Sequence, residues 1–486
     1  MKQLLPPLFF LIMILQLQAQ ELGTGNAVRI YPGETPREIY KKAAHVVPTS
    51  RQADWQELEF TIFIHFGMNT FTNREWGEKG TSPSLFNPTA LDAGQWVATA
   101  KMAGARLVIM VAKHHDGFCL WPTRFSDYSI KNSPWKGGKG DILAEVAAAC
   151  KKQGMKLGVY ISPWDINSPL YGTEAYNEHF RNQLTELLTH YGPIDEVWFD
   201  GACGEGPNGK RQVYDWLSYY RVIRKLQPKA VIAISGPDVR WVGTESGYGR
   251  ETEWSVIPAK AATLNEIKAG AGKGSTREGL FFPPGDMMEQ DLGSRAKIEH
   301  AAGLIWYPSE VDVSIRPGWF YHQAEDSLVK SPATLEDIWY SSVGRNSVLL
   351  LNLPPDRRGL IHENDVAALK KMKTVLDATF GNNLAKDADI FRNDSLIQLD
   401  LRNPAVFDRV MLREDFRHGQ KVEAFILETW DGGSWNLICR GTTIGYKRLL
   451  RFDPVRSGKI RLRITSSRDV PEILEFGLYK EPAEQP

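Results

Sequence analysis

The chain has 486 residues with 58 basic and 58 acidic side chains, so its formal net charge is zero; 42% of residues are apolar and 24% charged. That balance belongs to a globular protein and excludes a disordered chain, a collagen-like fibre or a disulfide-dense miniprotein. With no basic surplus there is little to neutralise nucleic-acid phosphates, and the length points to more than one domain.

Residues 1–20 read MKQLLPPLFFLIMILQLQAQ: Lys2, an apolar run Leu8–Leu15, then Gln18-Ala19-Gln20. This is the pattern of a secretory signal peptide, and its core is shorter than the roughly 20 apolar residues that span a bilayer. Export to the periplasm or the medium is the expected localisation, with no membrane span elsewhere. Cys119, Cys150, Cys203 and Cys439 are widely spaced and show no zinc-ligand pattern, so isolated thiols are expected.

Phe60–Phe66 (FTIFIHF) is β-branched and aromatic, stops at Gly67, and reads as a buried strand. Helix-like and strand-like segments then alternate: Asp92–Ala103 and Arg106–Ala112, Asp141–Lys152 and Lys156–Ile161, Tyr176–Tyr191 and Ile194–Phe199, Gln212–Leu226 and Ala230–Ile234. Repeated helix–stop–strand units imply parallel strands joined by helical crossovers. Polar residues crowd the C-terminal ends of these strands: His65, Lys113-His114-His115-Asp116, Ser162-Pro163-Trp164-Asp165 and Asp200. A (β/α)8-like TIM barrel gathers its chemistry there, whereas an open sheet uses one crevice. No GxGxxG or GxxxxGK[ST] follows the early strands, which disfavours a nucleotide fold. Closure is expected through Ser347–Leu353 and the helix Glu363–Phe380, while residues 240–330 are irregular. After Gly381, short alternating runs separated by turns predict a C-terminal antiparallel β-sandwich. The organisation expected is a signal peptide over 1–20, a catalytic barrel with an N-terminal extension over 21–380, and a sandwich over 381–486.

Asp200 ends the strand Glu196–Asp200 and is followed by Gly201, so its carboxylate can approach a substrate closely. Trp198 shares its side of the strand, and an indole beside a carboxylate suits an apolar sugar face. His114 and His115 can donate and accept hydrogen bonds to hydroxyls. Zinc hydrolysis through the same pair is the weaker alternative, because HExxH and HxH are absent.

The set His65-Phe-Gly, Glu75-Trp76, Lys113-His-His-Asp-Gly-Phe118, Gly158-Val-Tyr-Ile-Ser162 and Val197-Trp-Phe-Asp-Gly201 resembles the motifs of glycoside hydrolase family 29 over roughly residues 30–480. The resemblance implies a retaining exo-α-L-fucosidase, with a catalytic barrel and a β-sandwich, acting without metal or cofactor on a fucosylated oligosaccharide or glycoconjugate. It makes Asp200 the nucleophile. It also makes His65, Glu75, Trp76, His114, His115, Tyr160 and Trp198 contacts to the sugar. The stretch Trp241–Tyr248 resembles the subfamily that prefers α-1,3/1,4-linked, Lewis-type fucose. Glu245 stands 45 residues after Asp200, at the spacing of that subfamily's acid/base. Glu251, Glu253 and Glu310 are rivals for that role. Ser314–Tyr321 resembles the same subfamily and would place Trp319 on the sugar. Trp164 and Trp254 are candidates for the rim. Hydrogen bonds and nearby His are expected to keep Asp200 charged. A related glycosidase acting on another L-sugar such as an α-L-galactoside, and a non-catalytic fucose-binding protein, are the competing readings. In the C-terminal part, Trp430 and Trp435 are candidates for a sugar-binding surface, against a purely structural role.

Overall fold

A computed structural model describes residues 25–261, 281–282 and 289–482. The expected signal peptide lies outside the described residues. Eight parallel strands form the body of the fold: β1 (Phe60–Ile64), β2 (Leu107–Lys113), β3 (Lys156–Ile161), β4 (Glu196–Phe199), β5 (Val231–Ile234), β6 (Arg240–Trp241), β7 (Ser309–Ser314) and β8 (Val348–Asn352). Their order, β5-β4-β3-β2-β1-β8-β7-β6, is that of a nearly closed barrel with β5 and β6 at its two free edges.

The alternation within each strand divides the core in two. Leu107, Ile109 and Val111 of β2 point inward with Phe63, Tyr160, Trp198 and Leu350. Val108, Met110 and Ala112 point outward, against the crossover helices. Those helices start and stop where their sequence dictates. Asp92 and Asp141 accept the N–H groups of Gln95 and Ala144 at the helix N-termini. Gly154 closes Ile142–Gln153 at φ 70°.

The last barrel strand pairs with the first, Leu349 opposite Phe60, as expected of Ser347–Leu353. The irregular stretch from 240 to 330 supplies two barrel strands, the two-residue β6 and then β7. Between them it departs from the barrel into a small antiparallel sheet, ordered Ala27–Arg29, Gly303–Trp306, Val256–Ala261, Phe281–Phe282.

Six antiparallel strands follow: β9 (Asp389–Asn393), β10 (Leu396–Glu414), β11 (Val422–Trp430), β12 (Trp435–Gly441), β13 (Arg448–Ser467) and β14 (Ile473–Tyr479). β10 and β13 are long, and register shifts between Asp400 and Ala405 and between Phe407 and Arg409 interrupt their pairing. Bulges of this kind bend a sheet, here around a separate core of Leu399, Phe407, Leu427, Leu462 and Leu478. Trp430 and Trp435 face each other across the β11–β12 hairpin, with ring centroids 5.4 Å apart. All four cysteines are unpaired, and no helix among the described residues is long and apolar enough to cross a membrane.

Candidate active site

Strands β1, β2, β3, β4 and β7, with the loops that follow β1, β6 and β7, deliver side chains to one pocket of about 230 Å³. The pocket is lined by His65, Glu75, Trp76, His114, His115, Tyr160, Trp198, Asp200, Glu245 and Trp319, the full set singled out from the sequence, together with Phe63 and Asp312.

Asp200 sits just past β4 with both carboxylate oxygens engaged. Oδ1 accepts the Ala202 backbone N–H at 2.6 Å, and Oδ2 accepts the Tyr160 hydroxyl at 3.2 Å. These two donors fix the orientation of the carboxylate. Tyr160 is itself clamped: it stacks on Trp198 with centroids 5.2 Å apart, and burial and the Asp200 charge hold its phenol well above its ordinary value.

The three pocket histidines are neutral, because burial dominates each of them. His65 is pushed down to about 3, His114 falls well below the imidazole range, and His115 is lowered despite the pull of Asp200. Burial thus disfavours the cationic form of the histidines expected to lie near Asp200. Their tautomers follow from their partners. His65 Nδ1 lies 2.8 Å from Asn352 Oδ1, which can only accept, so Nδ1 carries the proton and Nε2 is an acceptor. Asn69 Nδ2 faces His114 Nδ1 at 3.4 Å, so His114 carries its proton on Nε2 and can donate. Ser162 Oγ lies 2.8 Å from the Trp164 carbonyl and 2.7 Å from His115 Nδ1. Its proton goes to the carbonyl, so His115 donates through Nδ1 and presents a bare Nε2 some 3.7 Å from Asp200 Oδ2. Donors and acceptors thus alternate on an uncharged surface, the pattern that vicinal hydroxyls satisfy. Trp76, 58% exposed, stacks on His115 at the rim, and Trp164 tilts against the same ring. Trp254 is not at the rim: it is buried, donates to Asp291 and lies under Arg468.

Glu75 has a second task. Its Oε2 accepts the Trp319 backbone N–H at 2.9 Å, and its Oε1 takes the Phe320 N–H at 3.2 Å and His322 Nε2 at 2.6 Å. His322 Nδ1 meets Asn73 Oδ1 at 2.8 Å. A Cβ at Gly318 would stand 2.7 Å from Glu75 Oε1, so a larger residue there would push on the carboxylate that holds this segment. The segment so held carries Trp319, whose Nε1 donates to Glu245 Oε2 at 3.1 Å. Glu245 is exposed, at the mouth of the pocket.

The same pairing of acid and indole recurs down the barrel. Trp241 Nε1 donates to Asp312 Oδ1 at 2.7 Å, Trp198 Nε1 to Glu310 Oε2 at 2.7 Å, and Trp55 Nε1 to Glu196 Oε2 at 2.8 Å. Glu310 and Glu196 are fully buried and hydrogen-bond to each other, and burial raises both toward the protonated form. The rivals of Glu245 are accounted for by their surroundings. Glu310 lies beneath Trp198, outside the pocket lining. Glu253 is buried between Arg240 and Arg250, and Glu251 pairs with Arg345 and Arg448. Sequence reasoning missed Phe63 and Asp312 as pocket residues. For Asp312 the signal was the alternation Glu310-Val-Asp312-Val-Ser314, which puts carboxyls on the barrel's inner face.

Known proteins resemble the chain over most of its length. The sequence model of the Alpha-L-fucosidase family matches residues 75–379. The chain is 40% identical to Alpha-L-fucosidase 1 of Arabidopsis thaliana over 471 residues, covering 90% of this chain and 88% of that protein. It superposes on the crystal structure of a provisionally assigned alpha-L-fucosidase from Bacteroides ovatus with a TM-score of 0.86 and 48% identity, covering 95% of this chain and 78% of that one. A Ruminococcus gnavus fucosidase of glycoside hydrolase family 29, solved in complex with fucose, matches with a TM-score of 0.77 and 30% identity over 94% of this chain and 97% of that one.

Proposed function

The chain belongs to the Alpha-L-fucosidase family, glycoside hydrolase family 29, and from that premise we propose that it removes terminal α-L-fucose in two displacements, with net retention at the anomeric carbon. Asp200 attacks C1 and forms a covalent fucosyl ester. Glu245 gives its proton to the departing glycosidic oxygen, then takes one from the water that cleaves the ester. The observation that carries this reading is the double anchoring of Asp200 by Tyr160 and Ala202 in the pocket that also presents Glu245.

The other side chains have matching roles. His65, His114 and His115 supply neutral acceptors and a donor for the sugar hydroxyls. Trp198, Tyr160 and Phe63 form an apolar wall that suits the C6 methyl group, where burial contributes about 0.8 kcal/mol per carbon. Trp76 and Trp319 offer ring faces at the rim. Glu75 supports Trp319, and Trp319 orients Glu245. No step calls for a metal or cofactor.

Two finer features belong to the same proposal. The resemblance of Trp241–Tyr248 and Ser314–Tyr321 to one subfamily supports a preference for α-1,3/1,4-linked, Lewis-type fucose. The N-terminal sequence supports export, to the periplasm or the medium. Proton NMR of the sugar first released from an aryl α-L-fucoside tests the mechanism: α-fucose is expected, and β-fucose overturns it. Release from Lewis-type oligosaccharides with little from α-1,2 linkages is the result expected for specificity, and equal release overturns that part.

A further inference from the structure

We propose that Asp312 is a further substrate-binding residue, an uncharged carboxyl group that donates a hydrogen bond to the bound sugar. It goes beyond the pair Asp200 and Glu245, and rests on the fucosidase reading above.

Asp312 lies on β7 with its side chain on the inner face of the barrel, is 4% exposed, and forms part of the pocket lining. Its Oδ1 is occupied by the Trp241 indole N–H. Among the described residues no other side chain hydrogen-bonds to its carboxyl group. An indole is a neutral donor and does not balance a full negative charge. Among the described residues no Lys or Arg pairs with Asp312. Arg240, on the neighbouring strand β6, is committed to Glu253.

Beyond the indole N–H of Trp241 and the residue's own backbone N–H, the groups around Asp312 disfavour an anion. Glu245 lies across the pocket mouth, Glu310 is one pleat below on the same strand, and the residue opposite on β8 is Leu350. A carboxylate held among two other acids and aliphatic carbon, without a cation, takes up a proton instead. Burial, with added repulsion from Glu245 and Glu310, accordingly raises Asp312 well above the ordinary carboxyl range. With Oδ1 accepting from Trp241, the proton resides on Oδ2, where it can be donated to a hydroxyl or ring oxygen.

Asn, Ser and Ala at this position separate the possibilities. The assay is turnover of 4-nitrophenyl α-L-fucoside, with inhibition by free L-fucose measured alongside. Asp312→Asn keeps an acceptor for Trp241 and a donor for the sugar, and is expected to hold kcat/KM within about threefold of wild type. Asp312→Ala removes the donor and is expected to lose about tenfold, the scale of one hydrogen bond, with L-fucose inhibition weakening in step. Should Asn disturb folding, Asp312→Ser against Asp312→Ala makes the same comparison, Ser being the better. Loss in Asn equal to that in Ala would show that the charge is needed, and an unaffected Ala variant would show that no contact exists; either overturns the inference. Wild-type turnover in the same assay stands for the fucosidase reading itself, so with an active wild type the variants bear on Asp312 alone.

Discussion

Glu75 and Trp319 are 244 residues apart in the chain, yet the Glu75 carboxylate accepts the Trp319 backbone N–H at 2.9 Å. The loop after the first barrel strand thereby sets the position of an indole in the segment after the seventh, and that indole donates to Glu245. Releasing this clamp should misplace the acid/base without touching it. Glu75→Ala is expected to lower kcat/KM by about 10²-fold, the cost of a displacement near 1 Å at a reacting group, while the thermal midpoint moves little. An unchanged kcat/KM on a natural linkage would contradict the arrangement.

Glu245 itself is tested by the leaving group. Glu245→Ala should slow hydrolysis of natural oligosaccharides by about 10²–10⁴-fold, the usual contribution of general acid catalysis. Activated aryl fucosides, which depart without a proton, should be far less affected. Equal losses on both would move the role to another carboxyl group.

The buried acid beneath Trp198 has a positioning role. Glu310→Gln keeps an oxygen for the Trp198 N–H and should leave turnover close to wild type. Glu310→Leu leaves that donor without an acceptor, at a cost of about 1–3 kcal/mol in stability, and should loosen the Trp198–Tyr160 stack that supports Asp200. The diagnostic readout is the split between the two: a proton-transferring Glu310 would be disabled equally by both changes.

Acid should weaken the fold through the pocket histidines. His65 is held at about 3, and His114 and His115 are also lowered, chiefly by burial. Below about pH 6.5 the unfolded chain takes up protons on these residues that the folded chain refuses. Stability therefore falls as pH drops from about 6.5, and for His65 the loss levels off only near pH 3. Each histidine contributes up to about 1.4 kcal/mol per pH unit within its window. His65→Asn should flatten the decline in thermal midpoint between pH 7 and pH 5. An identical slope in wild type and variant would contradict the assignment.

Much of the barrel is legible in the sequence because its strands are buried on both faces. Lys156–Ile161 and Glu363–Phe380 have the bounds that periodicity and stop signals indicate. β6 escapes such reasoning, since two residues, Arg240–Trp241, carry no period. β7 is hidden for another reason: alternating Glu310, Asp312 and Ser314 normally marks a solvent face, and here that face is the barrel interior. The site residues recognised by their motifs all meet in the pocket. Phe63 was missed because a strand phenylalanine looks like core. The link from Glu75 to Trp319 was missed because a carboxylate holding backbone N–H groups leaves no trace in sequence spacing.

The central claim is that Asp200 is the nucleophile. The most direct measurement is trapping with a 2-deoxy-2-fluoro-fucosyl fluoride, followed by peptide mass spectrometry. The account predicts a single fluorofucosyl adduct on the carboxylate of Asp200, absent from Asp200→Ala. An adduct on a different carboxyl group, or time-dependent inactivation that persists in Asp200→Ala, would contradict it.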